Sequence, residues 1–401
     1  MIRKLIVIGL AAVSAGLVAS VAGAAGGGPG GHWFFKGACP GIDFVSVQCH
    51  AEVVTDAAGV PLASGGPTGY GPAQFHSAYV LPTASAAATV QTVAIVDAFD
   101  APTIRADLTA YDQAEGIADL PTCTSPTQQA ACFVKVNQNG STTSLPKADS
   151  GWALEISLDV EVAHAICQNC KIVLVEASSA SFGSIGAAEN QAAKLGANVI
   201  SNSYGSSESF FESFYDSYYK HPGVAIVAGS GDSGAGVEYP AASQYVVGVG
   251  GTSLTLNPDG TRAGETVWSG SGSGCSAYEP KPSWQQGSAT KCSRKAVADV
   301  SADADPNTGA AVYDSTAYSG VSGWFQVGGT SLATPLIAGV YALSGVYSQY
   351  AASLPWSSPA GTLFDVTSGS NGSCSTAVWC NAGTGWDGPT GLGTPNGLGG
   401  F

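Results

Sequence analysis

The chain has 401 residues and is 45% hydrophobic, and its 14 Lys and Arg stand against 29 Asp and Glu for a net charge of -15. No basic stripe is present to neutralise phosphates, which excludes nucleic acid as the expected partner. Charged residues make up only 11% while glycine reaches 54, a composition that suits a compact, loop-rich exported protein whose few bases leave few ion pairs to break in acid.

In chain order, Arg3 and Lys4 precede the apolar run LIVIGLAAVSAGLV and the small-residue site Ala22-Gly23-Ala24, which predicts a cleaved export signal over 1–24 and a secreted, extracellular product. No later segment is apolar enough for long enough to span a bilayer, so no membrane attachment is expected after cleavage. Residues 25–68 are Gly-rich without a strong period and read as a short leader or pro-segment. GYGPAQFHSAYVLP (69–82) has helical spacing ending in Pro, and TVAIVDAFD (92–100) is a buried strand ending at an acid.

Strands and helices then alternate. WALEISLDVEVAHAI (152–166) predicts a helix, KIVLVEA a strand, SIGAAENQAAKLG a helix, NVISNSYG a strand and SSESFFESFYDSYYKH (206–221) a helix. VAIVAGSGDSG follows as a strand and loop, and YVVGVGG as another strand. Short buried strands between helices mean an α/β fold, a parallel sheet with helices on both faces, in one domain over 69–401. Residues 255–326 read as turn-rich and irregular, and the last 40 residues as Gly-rich loops. The ten cysteines fall into close sequence pairs, 39 with 49, 123 with 132, 167 with 170, 275 with 292 and 374 with 380, as expected of disulfides that staple local loops.

The segment GGTSLATP (328–335) places a serine, Ser331, before an apolar helix with a proline in its first turn, so that unpaired amides and the helix dipole favour negative charge near its hydroxyl. Gly250-Gly251-Thr252-Ser253-Leu254 repeats five of those letters but runs into an alternating strand, which leaves Ser331 as the better nucleophile. Glu155 and Asp159, four residues apart, share one face of a helix whose other residues are mostly apolar. Such a buried pair splits its pKa values and leaves one carboxylate free to accept a hydroxyl proton. Asp232, in GSGDSG at the C-terminal edge of a strand, could stay protonated and donate to an oxyanion. None of the five histidines, His32, His50, His76, His164 and His221, has the sequence context of a catalytic base. His164 lies half a helical turn away from Glu155, and His32, His50 and His76 precede the main domain.

Together ALEISLD, ISNSYG, SGDSG and GGTSLATP, in this order, resemble the sedolisin family of serine-carboxyl peptidases, as do FDVTSG and AGTGWDGPTGLGTPNG near the C-terminus. The resemblance covers roughly 67–401. It implies a subtilisin-like fold with calcium-binding C-terminal loops and a monomer acting on polypeptide substrates. Ser331 would be the nucleophile, Glu155 its general base, Asp159 the acid supporting that base and Asp232 the oxyanion-hole acid, with an acidic pH optimum. It also implies a Ca2+ held by the Asp365 and Asp387 side chains and the carbonyls of Val366, Gly383 and Gly385, hard oxygen donors of the kind that ion needs. Asp97 stands where a subtilisin carries its triad Asp, but the HGTH-type segment is missing and Asp97 reads as structural. Sedolisins carry a long folded propeptide, whereas only about 40 residues separate the expected signal cleavage site from GYGPAQFHSAYVLP here. A non-catalytic exported binding protein on the same fold, and a Ser-His-Asp hydrolase of neutral pH, are the competing readings.

Overall fold

The computed structural model describes residues 34–39, 46–287, 289–348 and 350–401, and the export signal expected over 1–24 lies outside them. The chain opens with β1 (Phe34–Gly37), β2 (Gln48–Cys49), β3 (Glu52–Thr55) and β4 (Ala63–Ser64), followed by helix α1 (Pro72–Tyr79). The central sheet is then laid down by β5 (Thr92–Ala98), β6 (Phe133–Asn137), β7 (Lys171–Ala177), β8 (Val199–Asn202), β10 (Ala225–Gly229), β12 (Val247–Leu256), β13 (Arg262–Val267) and β16 (Val300–Asp303). Its strand order is β13-β12-β10-β8-β5-β7-β6, with β16 also on β12, and every pairing is parallel except β12 with β13. β5, β7, β8 and β10 are buried along their whole length, as strands covered on both faces must be.

Helices α3 (Ser150–Ile166), α4 (Phe182–Lys194) and α5 (Thr330–Ser344) cover this sheet, and α2 (Ile104–Glu115) packs on α3. α3 begins where Asp149 accepts from the Gly151 and Trp152 amides, a capping pattern that satisfies two of the first-turn donors. From Gly151 to Ile166 every residue of α3 is buried. The helix packs on α5 and β5 on one side and on a second, antiparallel sheet on the other, which leaves it no solvent face.

That second sheet corrects one expectation. Its order is β1-β3-β18-β17, with β17 (Ala310–Tyr318) and β18 (Val321–Gly328) forming a hairpin inside the stretch expected to be irregular. The turn residues Ser319 and Gly320 have φ of 51° and 81°, the left-handed pair that tight two-residue hairpins require. Strands β14 (Gly274–Pro280) and β15 (Arg294–Val297) also lie in that stretch. β3 and β4 pair with β18, so residues 52–64 are hydrogen-bonded to the body of the fold. The compact unit begins at Phe34.

The helix expected over 206–221 is absent. β9 (Tyr204–Ser207) pairs with β11 (Glu238–Tyr239) and β2, and two single 3-10 turns follow at Glu212–Phe214 and Asp216–Tyr218. Ser, Phe, Tyr and Asp are weak helix formers, and Tyr215 instead stacks on Phe182 with ring centroids 4.6 Å apart. A short ribbon of β19 (Leu363–Phe364) and β20 (Thr394–Pro395) closes the C-terminal loops. All five close cysteine pairs are bonded as the spacing suggested. Among the described residues no helix is long and apolar enough to cross a membrane.

Many carboxyls are buried, and burial is the largest cause that raises them: Glu176 to about 9 against the pull of Lys135, Glu279 to about 8 against that of Lys295, and Asp314 to about 7. A folded-state pKa above the unfolded value means that the native state binds the extra protons. This stabilisation is complete below the ordinary carboxylate pKa near 4 and is lost as pH rises through roughly 7 to 9. Thermal denaturation of Ser331→Ala, a variant chosen to suppress self-digestion, should therefore give a melting temperature at pH 4 well above that at pH 8. A melting temperature that is flat or rises with pH contradicts this.

Candidate active site

Ser331 is the second residue of α5, which starts as β18 ends. Gly329 makes the turn with φ of 89°, and a Cβ there would collide with the His50 carbonyl oxygen and stand 2.6 Å from Asp232 Oδ2. Pro335 falls in the second turn of α5, not the first as expected from sequence. Having no N–H, it leaves the Ser331 carbonyl without its helical donor. Ser203, just after β8, supplies one from Oγ at 3.4 Å, and the same Oγ donates to Asp159 Oδ1 at 2.8 Å. The Ser331 hydroxyl in turn points at the Ser203 carbonyl oxygen, 3.3 Å away.

Glu155 and Asp159 lie one turn apart on α3, fully buried, as their spacing predicts. Burial pushes Glu155 up to about 8, and the Ser331 hydroxyl, the Ala51 amide and the His50 charge pull in the opposite direction. The Ala51 N–H donates to Glu155 Oε2 at 2.8 Å. Asp159 is raised by burial and by the neighbouring Asp97 and Glu155, and Asp97 by burial and by Glu155 and Glu176. Three adjoining carboxyls in a dry interior cannot all ionise, and the group with hydrogen-bond donors aimed at it takes the charge. Glu155 has two such neighbours and the positive His50 beside it, whereas both oxygens of Asp97 lack a partner. The first negative charge therefore settles on Glu155, while Asp97 and Asp159 hold protons. Asp97, expected to be merely structural, borders this proton-sharing group.

Asp232 lies in the loop after β10 and caps α5. Its Oδ1 accepts from Thr330 N at 2.8 Å and from Thr330 Oγ1 at 2.7 Å. Burial, the largest cause, raises it to about 6, against the His50 charge and the Thr330 hydrogen bonds. With Oδ1 fixed as an acceptor, the proton of a neutral Asp232 belongs on Oδ2, which is buried and unpartnered. Oδ2 faces the space over Gly329 where the His50 carbonyl oxygen lies.

His50 also enters this site, with no local sequence signal to announce it. Its Nε2 is 2.9 Å from Glu238 Oε2 and its Nδ1 is 3.3 Å from Thr330 Oγ1. Burial alone would lower the imidazole, but the Glu238 charge and hydrogen bond, with Asp232 and Glu155, carry it to about 9. The two partners are 188 residues apart, so only the folded chain reveals the pair. His164 instead meets the Ala118 carbonyl at 3.1 Å and His76 the Ala165 carbonyl at 2.9 Å, away from Ser331. Ser253 donates to Asp305 at 2.6 Å in strand β12, as its sequence context suggested.

At the C-terminal loops Asp387 is fully buried, accepts from Thr390 N and Oγ1 on Oδ1 and from Gly383 N at 3.1 Å on Oδ2. Asp365 Oδ2 accepts from Gly385 N at 2.9 Å, and its charge acts on Asp387. Two mutually repelling carboxylates wrapped by glycine backbone, with no Lys or Arg bridged to either among the described residues, suit a hard cation. Among the described residues no group of three or more His, Cys, Asp or Glu is gathered for a metal, so backbone carbonyls would have to complete such a shell.

A mostly parallel sheet flanked by helices, with a serine at a helix N-terminus beside buried carboxyls, is a subtilisin-like architecture. The Subtilase family model matches residues 137–360, and the chain belongs to that family. Within it the likeness is to the sedolisins. The chain is 29% identical to sedolisin of Pseudomonas sp. (strain 101) over 83% of its own length and 61% of that protein's. It is 30% identical to kumamolisin of Bacillus sp. (strain MN-32) over 66% of its length and 53% of that protein's. A solved structure of Pseudomonas sedolisin, a serine-carboxyl proteinase in complex with pseudo-iodotyrostatin, superposes with a TM-score of 0.68 at 28% identity, over 83% of this chain and 96% of that one. The chain thus spans between about half and three-fifths of these curated relatives.

Gly329→Ala should damage the site through packing and backbone strain alone. Its Cβ at positive φ costs about 1–3 kcal/mol of strain and displaces either residue 50 or Asp232. The expected result is a melting temperature lowered by several degrees; an unchanged value contradicts the tight packing described.

Proposed function

We propose that the protein is a secreted serine-carboxyl endopeptidase that cleaves polypeptides through an acyl-enzyme on Ser331. The observation that carries this reading is the shared environment of Ser331 and Glu155: a hydroxyl at a helix N-terminus beside the one carboxylate of the buried group able to hold negative charge. Glu155 accepts the Ser331 proton during attack and later passes it to the leaving amine. Asp159, kept neutral and held by Ser203, supports Glu155. Asp232 donates from Oδ2 to the carbonyl oxygen as it becomes negative. All four side chains come from one chain, so a monomer suffices.

The active combination is an ionised Glu155 with a protonated Asp232. Entry of water removes the desolvation that dominates the rise of Glu155 and returns it towards the ordinary carboxylate range. Departure of His50 removes a charge that holds Asp232 down. Both changes favour activity on the acid side. Ca2+ would be held by Asp365 and Asp387 with the carbonyls of Val366, Gly383 and Gly385, where it would screen the two carboxylates and fix the loops that follow β19.

Cleavage of an unfolded protein between pH 3 and 8 tests the reading. Ser331→Ala and Glu155→Gln should each abolish hydrolysis with folding intact, and a profile unchanged by Glu155→Gln would return the base to a histidine. Asp232→Asn keeps a donor that does not titrate, so its activity should persist above pH 6 where the wild type declines. Asp232→Ala should lose roughly 10²–10³ in kcat. An alkaline limb unmoved in Asp232→Asn would remove Asp232 from the oxyanion role. A chelator should lower the melting temperature of the wild type and leave that of a doubly substituted Asp365→Asn, Asp387→Asn protein unmoved. Equal effects on both would place the ion elsewhere.

A further inference from the structure

Three phenylalanines stand in the open on the loop that follows β9. Phe210, Phe211 and Phe214 are 72%, 61% and 73% exposed, the highest values of any large apolar side chain among the described residues. Phe210 meets Phe211 edge-on with ring centroids 5.4 Å apart, and Phe211 stacks on Phe214 at 6.3 Å, so the rings form one continuous face. The loop beneath them is pinned. Glu208 accepts from the Ser276 hydroxyl and from the Ala277 N–H at 3.0 Å, and Glu212 accepts from the Ser209 N–H at 2.7 Å. Asp216 accepts from Ser243 Oγ at 2.6 Å and from the Tyr239 hydroxyl at 3.2 Å, while Tyr215 stacks on Phe182. The acids of the loop therefore turn inward and leave uncharged rings outward on a fixed base.

This face continues a line that starts at the candidate nucleophile. Ser203, whose carbonyl oxygen is 3.3 Å from Ser331 Oγ, leads into β9, and Phe210 follows soon after that strand ends at Ser207. From Ser203 to Phe210 is at most roughly 25 Å of extended chain. The free edge of β9 takes an extended neighbour antiparallel, Gln48 opposite Gly205 and Cys49 opposite Tyr204, with the N-terminal end of that neighbour directed toward Ser207. A polypeptide that takes this edge when residue 50 leaves the site sends the residues upstream of its scissile bond toward the phenylalanines. The chemistry of the face selects among occupants. Phenyl rings offer no hydrogen-bonding group and the nearby carboxyls are engaged, so a glycan finds nothing polar to grip. A net charge of -15, with Lys220 held over the Tyr245 ring at 5.5 Å, opposes an anionic lipid surface. Apolar and aromatic side chains of an unfolded polypeptide match the face.

We propose that Phe210, Phe211 and Phe214 form an accessory binding surface for apolar, aromatic-rich stretches of the polypeptide substrate, about six to ten residues on the N-terminal side of the scissile bond. The proposal rests on the peptidase reading of the neighbouring site and adds a choice of substrate to it. Contiguous apolar stretches are open in unfolded chains and buried in folded ones, so the surface favours unfolded proteins. The contact is remote from the reacting bond and is the same before and during chemistry. Its binding energy therefore lowers KM and leaves kcat. Because the loop is already pinned, little ordering opposes the contact.

The test compares two peptides with the same residues around the scissile bond, one carrying Phe, Leu and Trp well upstream of it and the other Gly and Ser in their place. The full chain is used with and without Phe210→Ser, Phe211→Ser and Phe214→Ser combined. The expected kcat/KM in the wild type is about tenfold or more higher for the apolar peptide, through KM, as burial of an exposed ring implies. The triple variant should treat both peptides alike, and this ratio does not depend on how much of the enzyme is folded. Equal constants in the wild type, a difference carried by kcat, or a preference kept by the triple variant overturns the proposal and leaves the peptidase reading standing. Hydrolysis of neither peptide between pH 3 and 8 overturns the peptidase reading, and binding of the labelled apolar peptide to Ser331→Ala, followed by fluorescence anisotropy, then decides the surface by itself. Binding abolished by the three substitutions supports it; binding that is absent, or unaffected by them, overturns it. Dimerisation, or capture on phosphatidylcholine vesicles, that the substitutions abolish while the wild type treats both peptides alike gives the face to a second copy or to lipid and also overturns the proposal.

Discussion

The site depends on one constraint, the burial of α3 on every side. Packed between the central sheet and the antiparallel sheet, this helix carries Glu155 and Asp159 where neither can be solvated. Asp97, at the end of the neighbouring β5, is equally dry. Low solvation makes a second charge prohibitive, and this converts three ordinary acids into a group with one negative charge and a defined place for it. A surface helix with the same two carboxylates would ionise both near pH 4 and would hold no preference for Glu155.

Other parts of the fold transmit that constraint to the serine. Pro335 frees the Ser331 carbonyl, and Ser203 answers both it and Asp159, so Ser331 and Asp159 are held by one hydroxyl. Asp232 caps α5 through Oδ1, and this leaves Oδ2 buried without a partner beside Gly329. Positions separated by more than a hundred residues in the chain are thereby set against one another through a few short contacts.

The sequence was most informative where a signal is local. The four-residue spacing of Glu155 and Asp159, the small residues before Ser331 and the runs that became β5, β7 and β10 each fit within one element, and the structure forms those elements. It was least informative where the partner is distant. β3 and β4 find β18 some 270 residues away, which no local period can announce. His50 and Glu238 look unremarkable until β2 and β11 meet across β9. The strands of 255–326 escaped because they are short and interrupted by turn residues, and 206–221 misled because its aromatic rings pack on α4 and on each other without following a helical period.

The central claim is that Glu155 makes Ser331 nucleophilic, and it can be tested apart from any choice of peptide substrate. A small phosphonyl fluoride that reports serine nucleophilicity, applied between pH 3 and 8 with the labelled residue located by mass spectrometry, gives the answer directly. The account predicts modification at Ser331 in the wild type, with a rate that follows a single ionisation on the acid side, and little or none in Glu155→Gln. Labelling of equal rate in Glu155→Gln, or labelling confined to another serine, would contradict it.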